Sequence, residues 1–282
     1  MSEPIVVGID GSEESDHALQ WAAAEAVLRE RPLHIVHALE SWPYRAPLFK
    51  PAESTERMTR VGHRLLTAAR ERVQERRPDL EVTTALVAEE TTQGLHAQSD
   101  KAFELVLGSR GRGGFAGMLL GSTSLRMAAR PTVPVVIVHG DATDRGEIVA
   151  GIDLLRDAGA VLHYAFETAA RRDARLRVVH AWQTFGTLIE AGYAVDAEQV
   201  ELDLRARVNE ACKPLRTEYP RVDVVDEIIM EHPVTALSNA SRNARLLVVG
   251  AHQRRWTAPQ LGSLAHGVIH HARCPVAVIP ST

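Results

Sequence analysis

The feature that most constrains this chain is that it repeats itself. Val7-Gly8-Ile9-Asp10 returns 143 residues later as Ala150-Gly151-Ile152-Asp153, and His37-Ala38 returns at the same offset as His180-Ala181. Gly108 returns as Gly250 at an offset of 142. Gly121-Ser122 and Pro134 return as Gly262-Ser263 and Pro275 at 141. A register that slips by only two residues across most of a domain marks a duplication. The 282 residues therefore divide into two modules, 1–141 and 142–282, each of ordinary domain size. The polar, glycine-containing stretch from His139 to Gly146 is the expected linker.

Within each copy, apolar strands alternate with helical periodicity. Ile5 to Ile9 is a short β-branched run of the kind that forms a buried parallel strand. Leu19, Ala22, Ala23, Ala26 and Val27 then fall on one helical face, and the second copy repeats it with Leu162, Ala165, Phe166, Ala169 and Ala170. Further strands are expected at Leu33–Ala38, Val82–Val87, Phe103–Leu107 and Val133–Val138. Their partners are Leu176–Ala181, Val222–Ile229, Leu246–Val249 and Val276–Ile279. Regions 57–76 and 197–219 suit longer helices. Ser41 to Glu56, with Pro43, Pro47 and Pro51, reads as an irregular loop, as does its match from Phe185 to Asp196. Strands alternating with helices predict an α/β fold: two doubly wound modules, each a parallel sheet with helices on both faces.

Composition narrows the function. At 45% hydrophobic residues each module can build a core, and a net charge of −4 gives no sign of a nucleic-acid or acidic-membrane partner. Cys212 and Cys274 form neither a metal-ligand spacing nor a disulfide framework, so a reduced compartment is expected. The first residues lack a basic start, a signal-length apolar run and a cleavage site. No apolar run approaches the ~20 residues that cross a bilayer. The expectation is a cytoplasmic protein.

The chemistry concentrates in one loop. Leu105-Val106-Leu107 runs into Gly108-Ser109-Arg110-Gly111, then nine residues, then Gly121-Ser122-Thr123-Ser124. Glycines after a strand let the backbone take positive φ and approach a ligand without a Cβ in the way. The second glycine opens a helix, whose free amides, hydroxyls and dipole favour an anion. Arg110 and Arg112 add positive charge. In open α/β sheets ligands bind at the carboxyl ends of strands where the order reverses. Asp10 ends the first strand there, beside Gly108 if the first and fourth strands are neighbours. Ala38 and Val87, ending the second and third strands, would line the base or sugar side. Asp10 suits ribose hydroxyls, a backbone amide or a phosphate-bound Mg²⁺.

At this point the chain resembles a tandem universal stress protein over nearly its whole length. The resemblance rests on Val7-Gly8-Ile9-Asp10-Gly11-Ser12, His37-Ala38, Gly108-Ser109-Arg110-Gly111, Gly121-Ser122 and Val133-Pro134-Val135-Val136-Ile137-Val138. It implies a five-stranded parallel sheet of order 3-2-1-4-5. It also implies ATP, with Mg²⁺, at Asp10, Ala38, Leu107, Gly108, Arg110, Gly111, Gly121, Ser122 and Thr123. The family's last strand pairs across a dimer axis, so internal pairing of Val133–Val138 with Val276–Ile279, or a homodimer, is implied too.

The second copy keeps Asp153, Ala181, Gly250, Gly262 and Ser263 as candidate nucleotide contacts. It replaces the middle glycine by Gln253 and shortens the loop by one residue. A non-glycine residue forced left-handed costs about 1–2 kcal/mol. One residue of chain spans up to ~3.3–3.6 Å, a whole hydrogen-bond length. His252, Arg254 and Arg255 can still meet an anion and Trp256 can stack on a base, so nucleotide binding there stays open.

Other clusters read as structural. His266 and His270, with His271 adjacent, lack a third metal ligand in range, and the first copy has Leu125, Ala129 and Arg130 there. No metal site is expected. Asp16-His17 belongs to a helix start capped by Ser12 or Ser15. Cys274 before Pro275 suits a buried small hydrophobe.

No catalytic residues stand out: the P-loop lysine is missing and no carboxylate pair falls in one cleft. Any ATPase activity would be slow and incidental. An adenylating enzyme would share the sheet order, but Gly11-Ser12-Glu13-Glu14-Ser15 is too acidic for its loop. The leading expectation is an ATP-binding stress-response regulator acting on an unidentified protein partner. The alternative is a nucleotide-free protein-interaction or assembly module.

Overall fold

A computed structural model describes residues 2–39, 51–111, 120–140, 145–183, 196–251 and 261–280, with the backbone alone at 51–55. Contacts divide the chain into two compact units, with the boundary between Ala142 and Thr143. The first unit runs β1 (Ile5–Gly8), α1 (Glu13–Leu28), β2 (Leu33–Ala38), α2 (Pro51–Arg76), β3 (Val82–Val87), α3 (Thr91–Ser99), β4 (Glu104–Gly108), α4 (Ser122–Ala129) and β5 (Val135–Val138). The second runs β6 (Glu147–Gly151), α5 (Gly159–Arg171), β7 (Leu176–Trp182), α6 (Ala197–Glu218), β8 (Val224–Met230), α7 (Pro233–Ala240), β9 (Ala244–Gly250), α8 (Ser263–His271) and β10 (Val276–Ile279). A 3-10 turn, Ser241–Asn243, precedes β9.

In the first unit the strand order is β3-β2-β1-β4-β5, and each adjacent pair is parallel. The second unit repeats it as β8-β7-β6-β9-β10. The order 3-2-1-4-5 expected from the resemblance is therefore present twice. α1 and α2 pack together on one face and α3 and α4 on the other, as doubly wound connections require. Covered on both faces, the central strands carry no polar alternation: Ile5, Val6, Val7, Leu105 and Val106 are fully buried. The edge strand β3 instead exposes Thr83 and Thr84.

Two expectations need correction. Val27 does not join the apolar face of α1; it is 51% exposed, and its counterpart Ala170 is exposed as well. The buried stripe of α1 is Ser15, Ala18, Ala22, Glu25 and Ala26, centred near Ala22. At about 100° per residue, Val27 lies about 140° round the helix from that centre. The stretch read as an irregular loop through Glu56 also ends sooner, because α2 begins at Pro51. Proline fits a first helical position, where its missing N–H would have no partner anyway. Residues 40–50 and 184–195, and most of the expected linker (141–144), lie outside the described residues.

Candidate functional site

β1 pairs with β2 on one side and β4 on the other, so their carboxyl ends border the point where strand order reverses. Four residues, Ile9 to Ser12, link β1 to the first turn of α1, and they are tightly cross-bonded. The Ser12 amide and hydroxyl both donate to Asp10 Oδ1, at 3.0 and 2.6 Å. Ser12 Oγ also accepts the Ser15 amide at 3.2 Å, capping α1. Gly11 turns the chain with φ +80°, a conformation that favours glycine. Asp10 thus holds an Asx turn at the strand end, the usual local role of this residue type.

The glycine loop approaches this corner closely. A Cβ on Gly108 would lie 2.7 Å from the backbone carbon and oxygen of Glu14, so only glycine lets β4 end against the first turn of α1. A Cβ on Gly111 would overlap Asp10 Oδ2. At Gly121 a Cβ would meet nothing nearer than 3.5 Å, so the protein itself does not demand glycine there. None of the three is left-handed; among the described residues positive-φ glycines are Gly11, Gly140 and Gly146. The expected reason for the loop glycines is corrected accordingly. Close approach, not backbone hand, requires Gly108 and Gly111.

The donors expected from Gly121 to Ser124 divide into two sets. The Gly121 amide is spent inside the protein, donating to Ser109 O at 2.8 Å and tying the two ends of the loop together. The Ser124 hydroxyl donates to Gly108 O at 2.7 Å and fastens α4 to the end of β4. The amides of Ser122 and Thr123 lie in a first helical turn, where the helix supplies no acceptor. Their hydroxyls stand at an exposed and a half-buried position.

Two helix N-termini therefore border one crevice, and they differ. α1 is capped by Ser12 and carries Glu13, Glu14 and Asp16 in its first turn. α4 has no side-chain cap and no acidic residue in its first turn. The positive end of α4 is the one left for an anion. Arg110 stands beside it, in an ion pair with Glu14 at 2.5 Å. Asp16, by contrast, pairs with Arg72 of α2 at 2.7 Å. Ala38 and Val87, register partners at the ends of β2 and β3, are half-buried on the far side of β1. Leu107 is buried within β4. Arg112 lies outside the described residues.

His37 was read only as a mark of the repeat. Its Nδ1 lies 2.7 Å from Ile9 O, and His180 repeats the contact to Ile152 O at 3.0 Å. A carbonyl only accepts, so Nδ1 carries the proton and donates in both modules. Each histidine thus pins the residue before the strand-end aspartate. The repeated position was the signal; its partner was not legible.

In the second module, Asp153 forms the same Asx turn, accepting the Leu155 amide at 3.0 Å, and pairs with Arg156 at 3.4 Å. Ala181 lies in β7, Gly250 ends β9, and Gly262 caps α8, which begins at Ser263. Here the supports of the first site are missing. Ala265 stands where Ser124 stands, so no hydroxyl reaches the Gly250 carbonyl. Among the described residues no bond corresponds to that between Gly121 and Ser109. α5 starts three residues later in register than α1, with Ala158 as an uncapped start. His252, Gln253, Arg254, Arg255 and Trp256 fall outside the described residues.

The remaining clusters are quickly placed. The His266 and His270 rings lie against each other, centroids 4.6 Å apart and planes tilted by 56°. Burial and then the neighbouring His266 and His271 push His270 below the ordinary imidazole range. Among the described residues no group of three metal-ligating side chains is assembled. Cys212 and Cys274 are buried, and burial pushes their thiols up to about 11 and about 12. No described helix is long and apolar enough to cross a membrane.

The model of the universal stress protein family matches residues 1–139 and, a second time, residues 145–280. Universal stress protein Rv2005c of Mycobacterium tuberculosis is 33% identical, with 99% of each chain covered. A universal stress protein of Mycolicibacterium smegmatis is also 33% identical, over 98% of this chain and 96% of that one. Among solved structures, that of a universal stress protein from Archaeoglobus fulgidus superposes with a TM-score of 0.74 at 19% identity over 99% of both chains, a likeness of fold.

Proposed function

We propose that this chain, which belongs to the universal stress protein family, is a regulatory protein that binds ATP in its first module alone. The observation that carries this reading is the contrast between the two helix N-termini at the β1/β4 crevice. One is capped and acidic; the other is uncapped, free of acid and flanked by Arg110. That polarity supports a reading in which the phosphates lie at Ser122 and Thr123 of α4. The base and ribose then lie toward Ala38 and Val87, across the ends of β1 and β2.

Asp10 is the residue that would hold a phosphate-bound Mg²⁺. Its Oδ1 accepts from Ser12, and its Oδ2 lies against the Gly111 backbone at a distance only glycine permits. One carboxylate oxygen beside the phosphates suits Mg²⁺, which keeps waters and takes most other ligands from the nucleotide. The ion would neutralise phosphate charge near the acidic start of α1.

The role assigned is regulatory, not catalytic. Phosphoryl transfer needs a positioned base and clamps on the moving group. The side chains around the crevice are instead engaged in capping and tethering, as with Ser12, Ser15 and Ser124. Nucleotide occupancy is then the signal that a protein partner reads.

Equilibrium dialysis with labelled ATP tests this. The parent should retain about one ATP per chain, and Asp10→Ala and Gly111→Val should each retain much less. Retention unchanged in both variants, or absent in the parent, would refute the assignment; two per chain would refute its restriction to the first module.

A further inference from the structure

We infer that Glu14 sets how strongly the site prefers ATP over ligands with fewer phosphates, by occupying the cation that a phosphate would use. The inference rests on the nucleotide reading above and adds a specificity-determining residue to it.

Arg110 lies two residues beyond the end of β4, between Ser109 and Gly111, and its guanidinium pairs with Glu14 Oε1 at 2.5 Å. The two side chains differ in freedom: Arg110 is 54% exposed, Glu14 19%. Glu14 is also fixed at its backbone, because its carbonyl lies against Gly108 so closely that no Cβ would fit between them. Glu14 is therefore the partner held at the end of β4, while Arg110 is the more exposed of the two.

Two other acids nearby, Asp10 and Asp16, have partners of their own. Asp10 Oδ1 accepts from Ser12, and Asp16 pairs with Arg72. Glu14 is the acid of the first turn whose carboxylate meets the loop's cation. Beside a guanidinium, a carboxylate cancels most of the field that the cation would exert on a phosphate. A nucleoside leaves this pair undisturbed, whereas a triphosphate must replace it or bind against it. The penalty thus grows with ligand charge.

Among the described residues the second module shows no counterpart of this pair. Asp157 stands at the register of Glu14, one methylene shorter, and accepts the amide of Gly159 at 2.8 Å. The arrangement belongs to the module that carries the full glycine motif.

The test is calorimetric titration of the full chain with ATP and with adenosine, in the parent and in Glu14→Gln. The measured quantity is the ratio of the two affinities. Partly exposed ion pairs are worth up to about 1 kcal/mol, so the ratio should shift toward ATP by about two- to fivefold. Glu14→Asp, which keeps the charge but shortens its reach, should shift the ratio less. In an Arg110→Gln background the gain from Glu14→Gln should shrink, since the effect passes through that cation. An unchanged or lower ratio in Glu14→Gln overturns the inference, as does a gain undiminished in the Arg110→Gln background. A merely structural role for Glu14 would weaken both ligands together. Failure of the parent to bind ATP overturns the nucleotide reading and this inference with it; binding with an unmoved ratio overturns this inference alone.

Discussion

Gly111→Ala should be costly only because of Asp10, and that coupling can be measured. Gly111 is not left-handed, so alanine brings no backbone strain of the kind a positive φ would impose. The whole cost comes from the new Cβ, which would overlap Asp10 Oδ2. Room can be made in two ways. The carboxylate can rotate, which loosens the bonds it accepts from the Ser12 amide at 3.0 Å and hydroxyl at 2.6 Å. Hydrogen bonds to a charged group are worth about 1.5–3 kcal/mol each when lost, less where water replaces them, as it can at this half-buried corner. Alternatively the loop backs away by roughly half an ångström or more and carries Arg110 with it. A net cost of about 1–2 kcal/mol follows by either route. Urea denaturation of the parent, Gly111→Ala, Asp10→Ala and the double variant closes the cycle. In the Asp10→Ala background the overlap is gone, so Gly111→Ala should cost nearly nothing. A coupling below about 0.5 kcal/mol, within ordinary additivity, would refute the close-approach explanation.

Three further outcomes follow from the same geometry. Ser124→Ala removes the 2.7 Å bond to Gly108 O and should cost about 1–3 kcal/mol, with weaker ATP retention, because α4 loses its tie to β4; denaturation and dialysis together would show a stability loss without a binding loss if that tie does not position the site. Gly108→Ala sets a Cβ 2.7 Å from the Glu14 backbone, which cannot swing aside, so it should destabilise by about 1–3 kcal/mol even without ligand, and parental stability would contradict the packing. Both thiols should resist a thiol-specific reagent in the native protein and react once it is unfolded. Their folded values are raised to about 11 and about 12, so the stability they contribute is complete below the ordinary thiol value of 9.0 and is lost as pH rises through the folded values. Replacing both cysteines by alanine should flatten the fall in urea midpoint above pH 9, and an unchanged slope would count against burial as its cause.

The sheet was legible because it is written twice. Parallel strands buried on both faces read as continuous apolar runs, and two copies with the same spacing locate them; their order is what the family resemblance implies. The short helices α3 and α7 carry weaker marks: nine and eight residues give barely two turns of periodicity. Proline marked 41–56 as irregular, yet Pro51 opens α2, because proline disfavours only helix interiors and tolerates a first turn. At the site, sequence spacing indicated which residues come together but not how their groups are spent. Gly121 and Ser124 looked like ligand donors and are instead bonded to Ser109 and Gly108. Glu14 drew notice only as part of an acidic loop, since nothing in the spacing reveals that it meets Arg110.

The duplication supplies its own control on what counts as a site residue. A position retained in both modules can serve the fold that both share, whether or not it meets a ligand. Asp10 and Asp153 both accept the amide two residues on; His37 and His180 both donate to the preceding carbonyl; Gly8 and Gly151 both leave room for a leucine side chain, Leu107 and Leu237, that a Cβ would meet at 2.6 Å. Retention of these positions is thus accounted for without any nucleotide. What distinguishes the first module is the set that differs: Ser124 against Ala265, Glu14 against Asp157, Gly111 against Gln253, and a capped acidic helix start against an uncapped one. These differences all lie around the β4 end and the start of α1, where the phosphates are assigned. Restoring the tether alone by Ala265→Ser should therefore leave ATP at about one per chain, because Gln253 and the shortened loop would remain. Two ATP per chain in that variant would mean that the second site lacks nothing but a hydroxyl.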